Sequence, residues 1–248
     1  MNKRKLQFSA VAGVSVLFLS LGCRADEAQP VVRGLLKPIH EATLSAEILA
    51  KITEIPFKVG KRFKKGDVLA RFDCARYKAE LAAAQAEYAA RKKTSDNNEE
   101  LASYNAVATL QVDVSKLETE KAKAQMAVGS AMLSACTILA PWDGRVVETL
   151  ANPYETIPPG KELLRVLNDS MLEIEVLAPS KWLSKVKIGA RFTFNIDETG
   201  KDYQAKISAI GAKIDPVSQT VRLTGTLDNQ QGELLAGMSG SAKFKISE

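Results

Sequence analysis

Few residues in this chain have a type and spacing that could support chemistry: three cysteines and a single histidine among 248 residues. His40 has no second histidine to join it in a metal site, and we interpret it as an ordinary strand residue. The sequence contains no CxxC, HExxH or phosphate-binding glycine loop. The five methionines are scattered, which is typical of core filling rather than of a soft-metal site. We therefore predict no catalytic residue, no cofactor-binding residue and no metal site.

Cys74 and Cys136 are candidates for a disulfide. The residues between them include no proline and one glycine, which predicts two antiparallel helices whose ends leave and re-enter the rest of the fold side by side. In an oxidising compartment these cysteines could be bonded. Helix axes ~8 to 10 Å apart often hold Cα atoms beyond the ~7 Å limit for bridging, so two small buried thiols are the alternative.

The elements that place these cysteines form a repeat. Residues 43–73 are echoed by residues 137–167 at a constant offset of 94 positions. The matched pairs are Thr43/Thr137, Ala46/Ala140, Ile52/Val146, Glu54/Glu148, Phe63/Ile157, Gly66/Gly160, Leu69/Leu163 and Arg71/Arg165. Each copy reads as short strands around a glycine turn, and a lone hairpin is marginal in water. We predict that the copies are two halves of one β module, with residues 74–136 inserted between them.

The insert has the three-and-four spacing of a coiled coil on both arms. The first arm carries Tyr77, Leu81, Ala84 and Tyr88, and the second carries Val107, Leu110, Val114, Leu117, Lys121, Ala124, Val128 and Ala131. We predict the tip within residues 95–105. It falls either at the breaker Ser95 to Asn98, where Asp96 and Glu99 have capping-box spacing, or at Asn105, which would make the arms equal.

The second arm stays apolar near the tip, where the first arm becomes polar. Val107, Leu110 and Val114 lie opposite Arg91 and Lys92 in this arrangement. Apolar side chains without intramolecular partners would form a docking surface for another protein. Packing against the stems of the two basic side chains is the alternative.

Residues 1–25 read as a secretory leader, because Lys3, Arg4 and Lys5 precede an apolar run. Cleavage before Asp26 and lipidation of Cys23 are both consistent with the sequence, and an uncleaved anchor is a third alternative. A lipid on Cys23 would tether the protein to a membrane. The leader holds four of the 34 basic residues and no acid, which leaves 30 basic against 29 acidic groups. This near-neutral balance lacks the excess of basic residues that is typical of nucleic-acid-binding proteins.

Strands alternate with turns in the remainder. Residues 31–42 contain an N-terminal strand that leads into the β region, and residues 168–248 read as a small β-barrel. We predict strands at 171–176, 190–196, 203–210, 220–227 and 241–246, with a short helix beginning near Ser180.

The chain resembles the periplasmic adaptor, or membrane fusion, proteins of bacterial tripartite efflux pumps and their HlyD-like relatives. Three stretches carry the resemblance. They are Val59-Gly60 with Gly66-Asp67-Val68-Leu69 and Arg71-Phe72-Asp73, then Thr137 to Val146, then Ile214-Asp215-Pro216 with Thr220-Val221-Arg222 before Leu235 to Met238. The resemblance implies a mainly β fold with an inserted α-helical hairpin: a split lipoyl-like barrel-sandwich hybrid, a coiled-coil hairpin and a β-barrel.

The resemblance also implies partners. Such adaptors, non-catalytic proteins of the Gram-negative periplasm, form rings that link an inner-membrane transporter, often of the resistance-nodulation-division type, to an outer-membrane channel. The family's channel-docking motif at the hairpin tip corresponds loosely to Arg91, Leu101 and Ser103. Two departures are Ala50, where the family usually has glycine, and a chain end at Glu248 that leaves no room for a full membrane-proximal domain.

Other functions remain open at the level of sequence. An envelope coiled-coil scaffold would share the helices, and a type I secretion adaptor would share the whole architecture. A lipoyl or biotinyl carrier is a third alternative. Such a carrier needs a modified lysine at the turn between its two halves, and the insert replaces that turn.

Overall fold

A computed structural model describes residues 31–229 and 232–244. The leader, Cys23 and the two proposed processing sites lie outside these residues. The described chain forms a split β module, a helical hairpin inserted into it, and a β-barrel that follows it. The predicted fold class, mainly β with an inserted hairpin, is confirmed.

The β module contains four strands from each half of the repeat. The first half supplies β2 (Glu41–Ser45), β3 (Ala50–Glu54), β4 (Arg62–Phe63) and β5 (Val68–Phe72), and the second supplies β6 (Thr137–Leu139), β7 (Gly144–Thr149), β8 (Thr156–Ile157) and β9 (Glu162–Leu167). The strands form two sheets, ordered β2-β9-β7-β4 and β6-β5-β3-β8. The two sheets have the same arrangement: where one sheet holds a strand from the first half, the other sheet holds the repeat-equivalent strand from the second half, and the reverse. The halves are therefore interleaved, and neither could bury its apolar side alone.

The two halves also exchange backbone hydrogen bonds reciprocally. A residue of one half donates to the other half, and the residue 94 positions away does the reverse. Two such exchanges are Gly60 N to Val146 O with Tyr154 N to Ile52 O, and Gly66 N to Ala140 O with Gly160 N to Ala46 O, at 2.8 to 2.9 Å. All four donors have positive φ, between 73° and 87°. The turns thus use the left-handed conformation that glycine adopts most readily.

The helical hairpin consists of α1 (Ala75–Ser103) and α2 (Thr109–Ser134). At ~1.5 Å per residue, α1 extends roughly 43 Å from the β module. The reversal spans residues 104–108, with Asn105 at φ 55°. Of the two predicted tip positions, the one at Asn105 is confirmed and the breaker at Ser95 to Asn98 is wrong. Those four residues stay helical because Ser95 is buried in the packing between the helices.

The first arm packs as predicted, and its seam continues past Tyr88 to Ser95, Asn98 and Ala102. The predicted seam of the second arm is wrong. The α2 residues with reduced exposure are Val112, Ser115, Thr119, Ala122, Met126, Gly129 and Leu133, which also follow three-and-four spacing. A Cβ placed on Gly129 would lie 3.4 Å from Leu81. The helices therefore approach through small residues, which lets the larger apolar residues of α2 remain outside.

The barrel is closed by six of the described strands, in the order β1-β10-β13-β12-β11-β14. They are β1 (Val31–Pro38), β10 (Leu172–Pro179), β11 (Arg191–Ile196), β12 (Lys201–Asp215), β13 (Thr220–Leu227) and β14 (Ser239–Phe244). A 3-10 helix, Ser180–Ser184, follows β10. β1 pairs with both β10 and β14, so the N-terminal strand completes the barrel. β12 is longer than predicted because its last residues, Ile214 and Asp215, still pair with Val221 and Thr220 of β13.

Two chain segments join the barrel to the β module. Asp169, on the segment leading into β10, lies 3.0 Å from both Arg62 Nη2 and Arg145 Nε. The Asp169 side chain is buried, and both arginines belong to the β module. This shared ion pair ties the barrel linker to the module.

Candidate partner-docking site

A disulfide closes the base of the hairpin. The structure joins Cys74 to Cys136, with the two Cα atoms 6.1 Å apart. Both residues are buried in the core of the β module. Backbone pairing continues beside them, since Phe72 N donates to Cys136 O at 3.0 Å. The helices therefore leave the module through one covalently fixed neck.

An apolar stripe runs along α2 on the side away from α1. It consists of Leu110, Val114, Leu117, Lys121, Ala124, Val128 and Ala131, and we call these residues the α2 stripe. Leu110 and Leu117 are 74% and 70% exposed. Val114 is 46% exposed, so the stems of Arg91 and Lys92 do not bury Leu110 and Val114, and this alternative from the sequence is wrong for both; Val107 is half-buried. A row of exposed apolar side chains on one helix face is typical of an interaction surface.

Leu101 and Tyr104 extend the exposed apolar surface to the end of the hairpin. Leu101, in the last turn of α1, is 43% exposed, and Tyr104 is exposed just after it. Ser103, two residues after Leu101, donates its hydroxyl hydrogen bond to Glu100 O at 2.6 Å. Leu101 and Ser103 therefore lie together at the tip.

Arg91 does not lie with the other two predicted docking residues. Ten residues of helix separate it from Leu101, or about 15 Å. Its guanidinium is 2.7 Å from both Glu87 Oε1 and Glu118 Oε2. The hydrogen bond that Arg91 donates to Glu87, followed by the charge of Glu118, raises the pKa of Arg91 above its ordinary value. The structure thus uses Arg91 to link α1 to α2, and its role in docking stays a prediction.

Further ion pairs follow the polar part of the hairpin. Lys116 of α2 reaches Glu99 of α1 at 2.9 Å, and Lys92 reaches Asp96 on its own helix at 3.0 Å. The hydrogen bonds to these carboxylates raise the pKa of both lysines. Exposed pairs of this kind each contribute ~0 to 1 kcal/mol. Only the Lys116–Glu99 pair joins the two helices, and it contributes to their alignment.

The face of α1 opposite its seam was not predicted from the sequence. Ala79, Ala82, Ala83, Ala86, Ala89 and Ala90 are all exposed there, and we call these residues the α1 alanine face. The sequence does contain a pattern that could have predicted this face, because these alanines recur at intervals of three and four residues. Gly129 lies beside Leu81, and Glu118 pairs with Arg91. The α1 alanine face is therefore level with the part of the α2 stripe from Lys121 to Ala131, on the opposite side of the hairpin.

The described residues contain no group of three or more His, Cys, Asp or Glu side chains that could hold a metal ion. Within the same residues, no helix has the length and hydropathy needed to cross a bilayer.

The fold and the hairpin have counterparts among solved structures. The chimeric MacA-MexA protein, which carries the Pseudomonas aeruginosa MexA alpha-hairpin domain, is 26% identical with a TM-score of 0.78, over 88% of this chain and 81% of that one. The membrane fusion protein Spr0693 of Streptococcus pneumoniae is 20% identical with a TM-score of 0.73, over 88% of this chain and all of that one.

Sequence comparison gives one domain family and three relatives. Residues 173–248 match the CusB-like beta-barrel domain family. An uncharacterized protein of Haemophilus influenzae is 29% identical over 96% of this chain and 64% of its own length. The nodulation protein NolF of Rhizobium meliloti is 24% identical over 93% of this chain and 67% of its own. The cobalt-zinc-cadmium resistance protein CzcB of Cupriavidus metallidurans is 23% identical over 74% of this chain and 38% of its own.

This chain shares its architecture, a split β module with an inserted hairpin and a following barrel, with the membrane fusion protein Spr0693 and the MacA-MexA chimera. This chain is similar to such proteins: residues 173–248 match the CusB-like beta-barrel domain family, and the fold matches that of the MacA-MexA chimera. The chain spans about two-thirds of the length of the Haemophilus and Rhizobium relatives. Proteins of this class work with inner-membrane transporters and outer-membrane channels, and they oligomerise.

Proposed function

We propose that this chain is the adaptor of a tripartite efflux pump in the periplasm of a Gram-negative bacterium. Its hairpin docks an outer-membrane channel, and its barrel end faces an inner-membrane transporter of the resistance-nodulation-division type. The observation that carries the proposal is the exposed apolar surface at the far end of the hairpin, made of Leu101, Tyr104 and the tip-proximal part of the α2 stripe. The protein acts by position, and it needs no catalytic group to do so.

Self-association into a ring is supported by the two outer faces of the hairpin. The α2 stripe and the α1 alanine face lie on opposite sides and are level from Lys121 to Ala131. When copies are related by rotation about an axis along the hairpin, the stripe of one copy meets the alanine face of the next. Contacts between unlike faces close into a ring when the rotation allows it.

The part of the α2 stripe near the tip has no such counterpart. Level with Leu110 and Val114, the outer side of α1 presents Asp96, Asn97 and Glu100 in place of alanines. We assign this upper part to the channel, because helices of a different protein can supply the apolar surface that a second copy lacks.

Anchoring of the chain is part of the same proposal. A lipidated Cys23 would hold the adaptor at the inner membrane, whereas cleavage before Asp26 would release it into the periplasm. The mass of the mature N-terminus distinguishes the two forms.

Substitution in the upper stripe tests the adaptor function. In a strain that lacks the chromosomal gene, the variant Leu110→Gln/Val114→Gln should accumulate normally and fail to restore resistance to a panel of drugs and cobalt, zinc and cadmium salts. Losing the burial of two such side chains weakens docking by about 3 kcal/mol, or over a hundredfold.

The matched control is Ala127→Gln, an exposed α2 residue outside the stripe, which should restore resistance fully. Cysteine cross-linking from Tyr104→Cys should capture an outer-membrane protein when the stripe is wild type. It should capture none when Leu110→Gln/Val114→Gln is also present. Full resistance in the Leu110→Gln/Val114→Gln variant would refute the docking assignment. Recovery of copies of this chain alone, without channel or transporter, would favour an envelope scaffold.

A further inference from the structure

One turn of the β module holds a tyrosine where its repeat equivalent has glycine. Tyr154 has φ 73°, and Gly60, 94 positions earlier, has φ 81°. Both donate their backbone N–H across to the opposite half at 2.8 Å. A bulky residue is unfavourable in this left-handed conformation, whereas glycine adopts it freely. Because Gly60 builds the same turn, the fold itself does not require a tyrosine at position 154.

Side-chain hydrogen bonds stabilise the turn that carries the tyrosine. Asn152 donates its backbone N–H and its Nδ2 to the Glu155 carboxylate, at 3.2 and 2.9 Å. The Tyr154 side chain is 75% exposed, and in the described chain its hydroxyl has no hydrogen-bond partner. A rigid, exposed tyrosine offers a large contact area at a low entropic cost. Strained residues of this kind concentrate at functional sites.

Lys51 accompanies the tyrosine, with its Nζ 5.6 Å from the centre of the Tyr154 ring. Its repeat equivalent is Arg145, whose charge is met by Asp169 of the barrel linker at 3.0 Å. The position equivalent to Asp169 in the first half is Ala75, which carries no charge. Within residues 31–229 and 232–244, no carboxylate pairs with Lys51. This site therefore presents a cation and an aromatic ring to a carboxylate from outside.

Leu49, Lys51 and Tyr154 form one surface, which we call the Tyr154 patch. Leu49 is half exposed, and its carbonyl accepts the hydroxyl hydrogen bond of Tyr77 at 3.1 Å. The carbonyl of Lys51 accepts from Asp73 N at 2.8 Å. Tyr77 and Asp73 lie at the start of α1, so the patch is on the β module at the base of this helix.

We propose that the Tyr154 patch is a contact between adjacent copies of this chain, in which Lys51 pairs with a carboxylate of the neighbouring β module. This inference rests on the proposed function, since it extends the hairpin contact at the α1 alanine face down onto the β module. The patch lies at the base of the hairpin, roughly 40 Å from the tip that meets the channel. A second copy is therefore the occupant that its location fits.

Two variants of the full chain test this contact. Tyr154→Gly removes the ring and the backbone strain, and Tyr154→Asn removes the ring while keeping a residue that tolerates positive φ. Both should weaken self-association at least tenfold by sedimentation velocity. Tyr154→Gly should not lower the midpoint of thermal unfolding. If Tyr154 had a purely structural role, the same substitution would lower that midpoint. Lys51→Glu should weaken self-association by a similar factor.

Gly60→Asn is the matched control, since it changes the equivalent turn of the other half and should leave self-association unchanged. Equal self-association of the wild type and both Tyr154 variants would overturn the inference while leaving the ring intact. A wild-type chain that stays monomeric at every concentration would overturn the proposed ring and this contact with it. A photo-reactive phenylalanine analogue at position 154 should capture a second copy, and capture of a different protein alone would overturn the assignment of the partner.

Discussion

At the scale of single residues, the neck of the hairpin depends on the pair Cys74 and Cys136. The sequence left two outcomes open, because helices at an ordinary separation hold such residues too far apart to bond. Here the cysteines lie where the chain passes between strands and helices, and their Cα atoms are 6.1 Å apart. The strand pairing of β5 with β6 sets this distance, rather than the helix packing.

The double variant Cys74→Ala/Cys136→Ala should lose about 2 to 4 kcal/mol of the free energy of unfolding, because the unfolded chain is no longer cross-linked. Urea unfolding of the purified protein measures this loss. Wild-type protein under strong reductant is the control and should show the same loss. Identical unfolding of all three samples would contradict a stabilising disulfide.

At the scale of elements, α2 carries two faces with the same three-and-four spacing. The face from Leu110 to Ala131 was predicted to pack on α1. The structure packs the other face instead, on which Ser115, Ala122 and Gly129 are interspersed with larger side chains. Spacing alone cannot choose between two seams of one period. The choice depends on how closely the helices approach, and Gly129 against Leu81 sets a close approach.

The same substitution on the two faces should separate their roles. Val112 is 7% exposed and Val114 is 46% exposed. Val112→Ala should lower the free energy of unfolding by about 1 to 2 kcal/mol through lost burial and a small cavity. Val114→Ala should change it by less than about 0.5 kcal/mol. Thermal unfolding compares them, and an equal cost at both positions would mean that the stripe is covered within the chain.

At the scale of the whole molecule, the β module is a closed unit into which the hairpin is inserted. Its sheets interleave strands from both halves, and its reciprocal hydrogen bonds involve no residue of α1 or α2. The barrel is a separate hydrophobic core joined through two linkers and the Asp169 ion pairs. The molecule therefore combines a closed β module with a long helical arm.

Replacing residues 75–135 by a short Gly-Ser turn should leave the β module and barrel folded. The gap to be closed is the 6.1 Å between the Cα atoms of Cys74 and Cys136. Circular dichroism should show the loss of helix with strand signal retained, and urea unfolding should stay cooperative. The intact chain is the control. Loss of cooperative unfolding would mean that the hairpin is needed to hold the halves together.

The sequence by itself determined the repeat, the insert between its halves, the order of the units and most strands of the barrel. These follow from local signals: one constant offset, turn glycines, and apolar spacing of two or of three and four. Tertiary structure decided the tip at Asn105, the packed face of α2, the bonding of the cysteines and the separation of Arg91 from Leu101. Each of these depends on which surfaces meet at what distance, and spacing along a chain does not contain that information.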